Sequence, residues 1–200
     1  MAAHSPVNTE DESSWEVIDS QVRECYGRIV YSHKVHEKNA DIYLKKLRTT
    51  KCWQISLSAL TTGGLFSILL TDGSKELTII TAIIASVQFW LNSYIKEYNL
   101  SESAERHAST ASKLWNIRES YLSLIADIQA HLTTIEEIRQ RRDDLQKQSF
   151  VVYEKAPRTI SKAYKEAQKA LKFNEELTFS NSEIDLLLPR GLRRNAEEIC

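Results

Sequence analysis

Three sets of side chains in this sequence have types and spacings that could do chemistry. The first is imidazole and thiol: His33 and His36 lie three apart, with Cys25 about two turns earlier, all of them types that bind transition metals. Three positions on one helix rarely converge on an ion without ligands from a second element. His107 could approach the first helix and supply one, but the sequence does not place it, and the pattern reads as seam histidines in a helical bundle. The second set is amide and hydroxyl: Thr78, Thr81, Ala85, Gln88 and Asn92 recur at alternating three- and four-residue spacing within an apolar segment. The third is cationic: Lys155, Arg158, Lys162, Lys165, Lys169 and Lys172 form a helical stripe beside Ile160, Ala163, Ala167 and Leu171. No phosphate-binding loop, paired-cysteine motif or nucleophile elbow accompanies them. The sequence therefore predicts a protein that is not an enzyme, with no catalytic residue, cofactor or metal site.

The elements that must position these residues are unevenly apolar. Overall the chain is 42% hydrophobic and 26% charged with a formal net charge of −1, which reads as an ordinary soluble domain. That average hides a segregation, because residues 52–70 and 77–95 contain no charged residue, and each is 19 residues long. At 1.5 Å per residue each reaches about 28 Å, close to the thickness of a bilayer's hydrocarbon core. The link Thr71-Asp72-Gly73-Ser74-Lys75-Glu76 is short, so the two spans must be antiparallel neighbours. Trp53, Trp90 and Tyr94 stand where an interfacial aromatic belt is expected. Lys45, Lys46, Arg48 and Lys51 precede the first span and Lys96 follows the second, whereas the link carries only Lys75 against Asp72 and Glu76. The charge bias predicts both termini in the cytoplasm. The competing reading is a hairpin buried in a soluble core.

In this frame the second set faces a constraint. Amides turned to lipid lack partners, so Thr78, Thr81, Gln88 and Asn92 must face helices or water. They either line a water path formed by several associated hairpins or make an interhelical hydrogen-bonded interface. Gly63, Gly64 and Ala85 are small enough to let helices approach closely. For the third set, Lys162, Lys165, Lys169 and Lys172 form a solvated face, a contact with anionic lipid headgroups, or a partner surface. Only Tyr164 and Phe173 interleave with the cations, which speaks against nucleic acid.

The remaining segments are amphipathic. Residues 1–14 are polar, without the apolar core of a cleavable signal peptide, and are expected to be disordered. Residues 15–51 carry a three-four apolar series, predicting a long cytoplasmic helix that Ser14 caps and that runs into the first span, with Gly27 its weak point. Residues 96–148 carry a second series without Pro or Gly, predicting a long cytoplasmic helix. Its greater reach implies a break or a fold-back. Residues 149–200 hold a helix opened by Pro157, a short helix with Ser180 and Glu183 as a capping box, and a basic tail of Arg190, Arg193 and Arg194. Cys25, Cys52 and Cys200 form no disulfide framework. The fold class expected is all-α: a two-helix transmembrane hairpin (residues 52–95) flanked by long helices in a stalk or bundle.

This layout resembles a known family. A helix ending His33-Lys34-Val35-His36-Glu37-Lys38-Asn39-Ala40-Asp41-Ile42-Tyr43-Leu44-Lys45-Lys46-Leu47 leads into the two spans. A long helix follows, and a segment from Asn174-Glu175-Glu176-Leu177-Thr178-Phe179-Ser180 to Leu188-Pro189 closes the pattern. It is similar to the SLATT family, two-transmembrane effector domains associated with SMODS nucleotidyltransferases and SLOG sensors. The resemblance implies a membrane effector of bacterial anti-phage defence that homo-oligomerises on a partner's signal and permeabilises the inner membrane. It also implies an operon-encoded signalling partner, a nucleotidyltransferase or a reverse transcriptase. The chain lacks a recognisable sensor domain, so activation is expected to come from that partner or from a nucleotide bound by the helical bundle itself. A membrane-anchored scaffold that recruits a partner through its helices is the alternative reading.

Overall fold

The computed structural model describes residues 9–70 and 74–194, and every element among them is helical, so the fold is all-α. Helix α1 (Thr9–Leu70) runs 62 residues without interruption, about 93 Å at the standard rise. No proline falls within it, and the roughly 1 kcal/mol that Gly27 costs is small beside the packing of so long a helix. The helix starts before Ser14, which therefore lies inside it and does not cap it. The head expected to be disordered is helical from Thr9, and residues 1–8 lie outside the described residues.

Helix α2 (Lys75–Tyr98) begins at Ser74, whose Oγ accepts from Leu77 N. Residues 71–73 of the short link lie outside the described residues. Helix α3 (Leu100–Gln129) follows after a single residue, Asn99, which adopts the left-handed conformation at φ 35°. Asparagine tolerates that region better than other non-glycine residues. The segment 96–148, expected as one long helix, is thus broken at Asn99 and again at Ala130–Thr134. Helix α4 (Ile135–Lys155) starts there with a capping box between Thr134 and Glu137, and His131 turns the chain at φ 50°. The fold-back inferred from the unequal reach is this second break. Helix α5 (Ser161–Lys172) begins later than Pro157 would set it, because residues 156–160 stay extended. Helix α6 (Asn181–Leu187) carries the expected capping box of Ser180 and Glu183.

Packing divides the molecule into two parts. In the first, α1, α3 and α4 form a bundle around Val22, Leu114, Tyr121, Leu124 and Ile138, all at most 1% exposed. Contacts keep step along it. Gln21 meets Arg142, Cys25 meets Gln146 and Ser32 meets Tyr153, so α4 runs parallel to α1. Trp15 meets His131 and His36 meets His107, so α3 runs antiparallel to it. Helix α5 lays Ala163 and Ala167 on Val35 of α1. In the second part, α2 and the last third of α1 pair alone, and their large apolar side chains point outward.

Candidate functional site

The hairpin seam follows one strict register. On α1 the partly or fully buried positions are Leu47, Thr50, Gln54, Leu57, Thr61, Gly64 and Ile68; on α2 they include Leu77, Thr81, Ile84, Gln88, Leu91 and Ile95. Both series alternate three and four, the spacing of a left-handed helix pair. The polar stripe expected from sequence shares only Thr81 and Gln88 with this register. Thr81 is buried against Gly64, where an added Cβ would stand 2.6 Å from Thr81 Oγ1. Glycine is needed at that point for the two backbones to approach. Thr61 Oγ1 lies 2.9 Å from Leu57 O and 3.1 Å from Gln88 Oε1, one hydroxyl proton between two acceptors. Thr81, Gln88 and Gly64 are therefore interhelical contacts within one hairpin, and Ala85 is half-buried at its edge.

Thr78, Asn92 and Gly63 are exposed. Thr78 sits about 60° round the helix from Thr81, off the seam. The outward hydroxyls of α2 satisfy themselves on their own helix: Thr78 donates to Ser74 O at 3.2 Å, Ser86 to Ala82 O at 2.9 Å and Ser93 to Phe89 O at 3.0 Å, as Thr62 on α1 does to Ser58 O at 2.9 Å. Asn92 has no such outlet. Its amide makes no hydrogen bond among the described residues.

The apolar surface of the hairpin is open. Leu65, Phe66, Leu69, Ile79, Ile83, Phe89 and Trp90 are all more than half exposed. In the most apolar windows of the two helices, 0% and 6% of residues are buried. A hairpin at the centre of a soluble core would bury them, so that competing reading does not hold. Trp53, Trp90, Tyr94 and Tyr98 gather at the end of the hairpin that joins the bundle. Trp90 stacks on Tyr94, and Tyr94 meets Tyr98 at 4.4 Å between centroids.

The family model for SMODS and SLOG-associating 2TM effector domain family 4 matches residues 18–183. The chain belongs to this family. It is a membrane protein, and two of its helices are long and apolar enough to cross a bilayer. Comparison with curated proteins and with solved structures finds no match.

In this effector domain the histidine set does not assemble as one site. Cys25 faces Gln146, and His33 Nε2 lies 3.5 Å from Glu37. His36 and His107 do meet, with their Nδ1 atoms 2.9 Å apart and both rings buried. One ring must donate and the other accept, so the pair requires complementary neutral tautomers. Tyr43 stacks on His107 at 19°. Burial pushes His36 down to about 4, with His107 and His33 adding in the same direction. Burial also lowers His107, assisted by Arg106.

The lysine stripe of the effector domain likewise divides. Lys162 lines a cavity of about 410 Å³ with Lys45, Lys46, Thr49 and Thr50, at the end of the bundle nearest the hairpin. Lys165, Lys169 and Lys172 are exposed and do not line it.

Two contacts had no clear signal in sequence. Asn39, fully buried, donates from Nδ2 to Val35 O at 2.8 Å and accepts from Ile160 N at 3.2 Å, fixing the start of α5. Lys34 Nζ is buried between Glu37 at 3.0 Å and Glu176 at 2.8 Å, and Lys38 reaches Glu176 at 3.2 Å. These cations hold the Glu176 carboxyl down at about 2. The seam on α1 had no clear signal either: Thr50, Gln54, Thr61 and Gly64 are its polar or smallest positions, set within an otherwise apolar run.

Proposed function

We propose that this effector domain acts by permeabilising the inner membrane of a bacterial cell, in response to an operon-encoded partner such as a nucleotidyltransferase or a reverse transcriptase. In the resting state the bundle holds one hairpin with both termini in the cytoplasm. On the signal, hairpins gather and a polar path forms between them. Two helices cannot enclose water, so the active form is a homo-oligomer. The observation that carries this reading is Asn92: an exposed, unpartnered amide on a span whose other outward polar groups are self-satisfied. It lies about 5 Å inside the bundle end of the span, between Trp90 and Tyr94, where another hairpin or water entering from that end can receive it. Thr81 and Gln88 are already engaged within the hairpin, so Asn92 is the residue available to an oligomer's lumen or interface, with Thr78 on the same side of the helix about 21 Å further along it.

Dye release from vesicles carrying the reconstituted, activated chain tests this. Asn92→Leu should lower release at least tenfold while alkaline carbonate extraction still finds the chain in the membrane. Unchanged release would remove Asn92 from the path. An unrelated hairpin in place of residues 52–95 separates the anchored-scaffold alternative, which should survive the exchange where a permeabilising effector would not.

A further inference from the structure

The basic residues of α1 divide sharply along its length. Arg23, Arg28, Lys34 and Lys38 are all ion-paired, with Asp19, Glu24, Glu37 and Glu176. Lys45, Lys46, Arg48 and Lys51 make no ion pair among the described residues, and neither does Lys96 across the hairpin. The change falls at one depth. Counted back from Cys52 at 1.5 Å per residue, Thr49 and Thr50 lie about 3–5 Å from the start of the span and Lys45 and Lys46 about 9–11 Å. The headgroup layer on each side of a bilayer is roughly 5–8 Å thick, and lysine stems reach further.

At this depth α5 adds a cation that sequence separates by more than a hundred residues. Lys162 completes the cavity of about 410 Å³ with Lys45, Lys46, Thr49 and Thr50, walled by Ile42, Asp41 and Glu166. Lys162 also makes no ion pair among the described residues. Lys46 is held in place over Tyr94 and Tyr98, its Nζ 5.1 and 5.7 Å from the ring centroids. Asp41 and Glu166 are the acids that oppose an anion here, two carboxylates against three lysines.

We propose that this cavity between α1 and α5 is a binding site for the phosphate of an anionic phospholipid, held by Lys45, Lys46 and Lys162 with Thr49 and Thr50 as hydroxyl donors. The proposal rests on residues 52–95 lying in a bilayer, and does not require that the chain form a pore. The lipid's charge answers the excess of unpaired cations, and its acyl chains continue along the open apolar surface that begins at Trp53. A bound headgroup also joins α5 to α1 at the membrane surface, so lipid occupancy supports α5 in its docked position.

The test is native mass spectrometry of the full chain released from bilayers of phosphatidylglycerol and phosphatidylcholine, scoring which lipid stays bound. Selective retention of phosphatidylglycerol is expected. Lys45→Gln and Lys162→Gln should each lower that selectivity about fivefold, the equivalent of about 1 kcal/mol per surface lysine. Glu166→Gln should raise it. The paired exchange K169Q and K172Q, on the same helix outside the cavity, should leave it unchanged. An equal loss in that control would mean diffuse surface charge and overturn the site. Full displacement of the lipid by inorganic phosphate would mean a soluble anion site and overturn the lipid assignment. Carbonate extraction of each variant reads the membrane insertion separately, so loss of the hairpin's membrane placement is distinguishable from loss of the lipid site.

Discussion

Acidification from pH 7 to pH 5 should loosen the helical bundle through the His36–His107 pair. His36 is 4% exposed and His107 2% exposed, and the short contact between their Nδ1 atoms cannot accept a second proton without repulsion. The folded state holds His36 at about 4 against the ordinary 6.5. At pH 5 the unfolded imidazole is almost fully protonated and the folded one is about one-tenth protonated. Unfolding then takes up close to one proton, and stability falls by about 1.2 kcal/mol per pH unit near pH 5. Integrated from pH 7 to pH 5 the loss is about 2 kcal/mol from His36 alone. The sign follows from the lowered value: the contribution is whole above 6.5 and is lost as pH falls toward 4. His107 and His33 are also lowered, chiefly by burial, and act in the same direction. The facing groups are Arg106, which lowers His107, with Lys34 and Arg118, which lower His33, and Glu37 and Glu119, which oppose them. The assay is urea unfolding in detergent followed by circular dichroism at pH 7, 6 and 5, comparing the chain with His36→Gln. The variant keeps a polar tip without a titrating ring, so its pH slope should be much flatter whatever its absolute stability. A midpoint that does not move for the unaltered chain, or an equal slope in the variant, would refute the reasoning.

Two further outcomes follow from the packing. Gly64→Ala should force the hairpin helices apart or rotate Thr81, at a cost of about 1–3 kcal/mol, and Thr81→Ala should recover most of it; steric-trapping measurements of hairpin stability would show no rescue if the close approach were unimportant. Glu176→Gln should free the segment after α5 from Lys34 and Lys38, raising limited proteolysis between Phe173 and Ser180 about fivefold, as expected for a partly exposed pair worth about 1 kcal/mol. In the unaltered chain that clasp is whole above the ordinary carboxylate value of 4.5 and is lost only as pH falls toward about 2, so it does not confuse the histidine experiment. An unchanged cleavage rate would mean that the segment is held elsewhere.

The sequence by itself determined what depends on local composition and period. Two uncharged runs of 19 residues set the hairpin, the three-four apolar series set the helices, and Ser180 with Glu183 set the start of α6. These follow from residue type and from contacts within a few residues. Where helices stop was less legible. His131 and Asn99 turn the chain through left-handed backbone that only the packed bundle specifies, and the extended stretch before α5 depends on Asn39 from a distant helix.

Which face a polar residue serves was decided only by tertiary structure. Thr78, Thr81, Gln88 and Asn92 share one helical period, and period alone gives them one role. The partner helix takes a register one position away, capturing Thr81 and Gln88 against Gly64 and Thr61 and leaving Thr78 and Asn92 outside. The same holds for the cations. Lys162 lines one cavity with Lys45 and Lys46, and Glu176 meets Lys34, because packing brings distant segments of the chain to one level. Spacing along the chain fixes direction around an axis; what lies in that direction is set by how the helices dock.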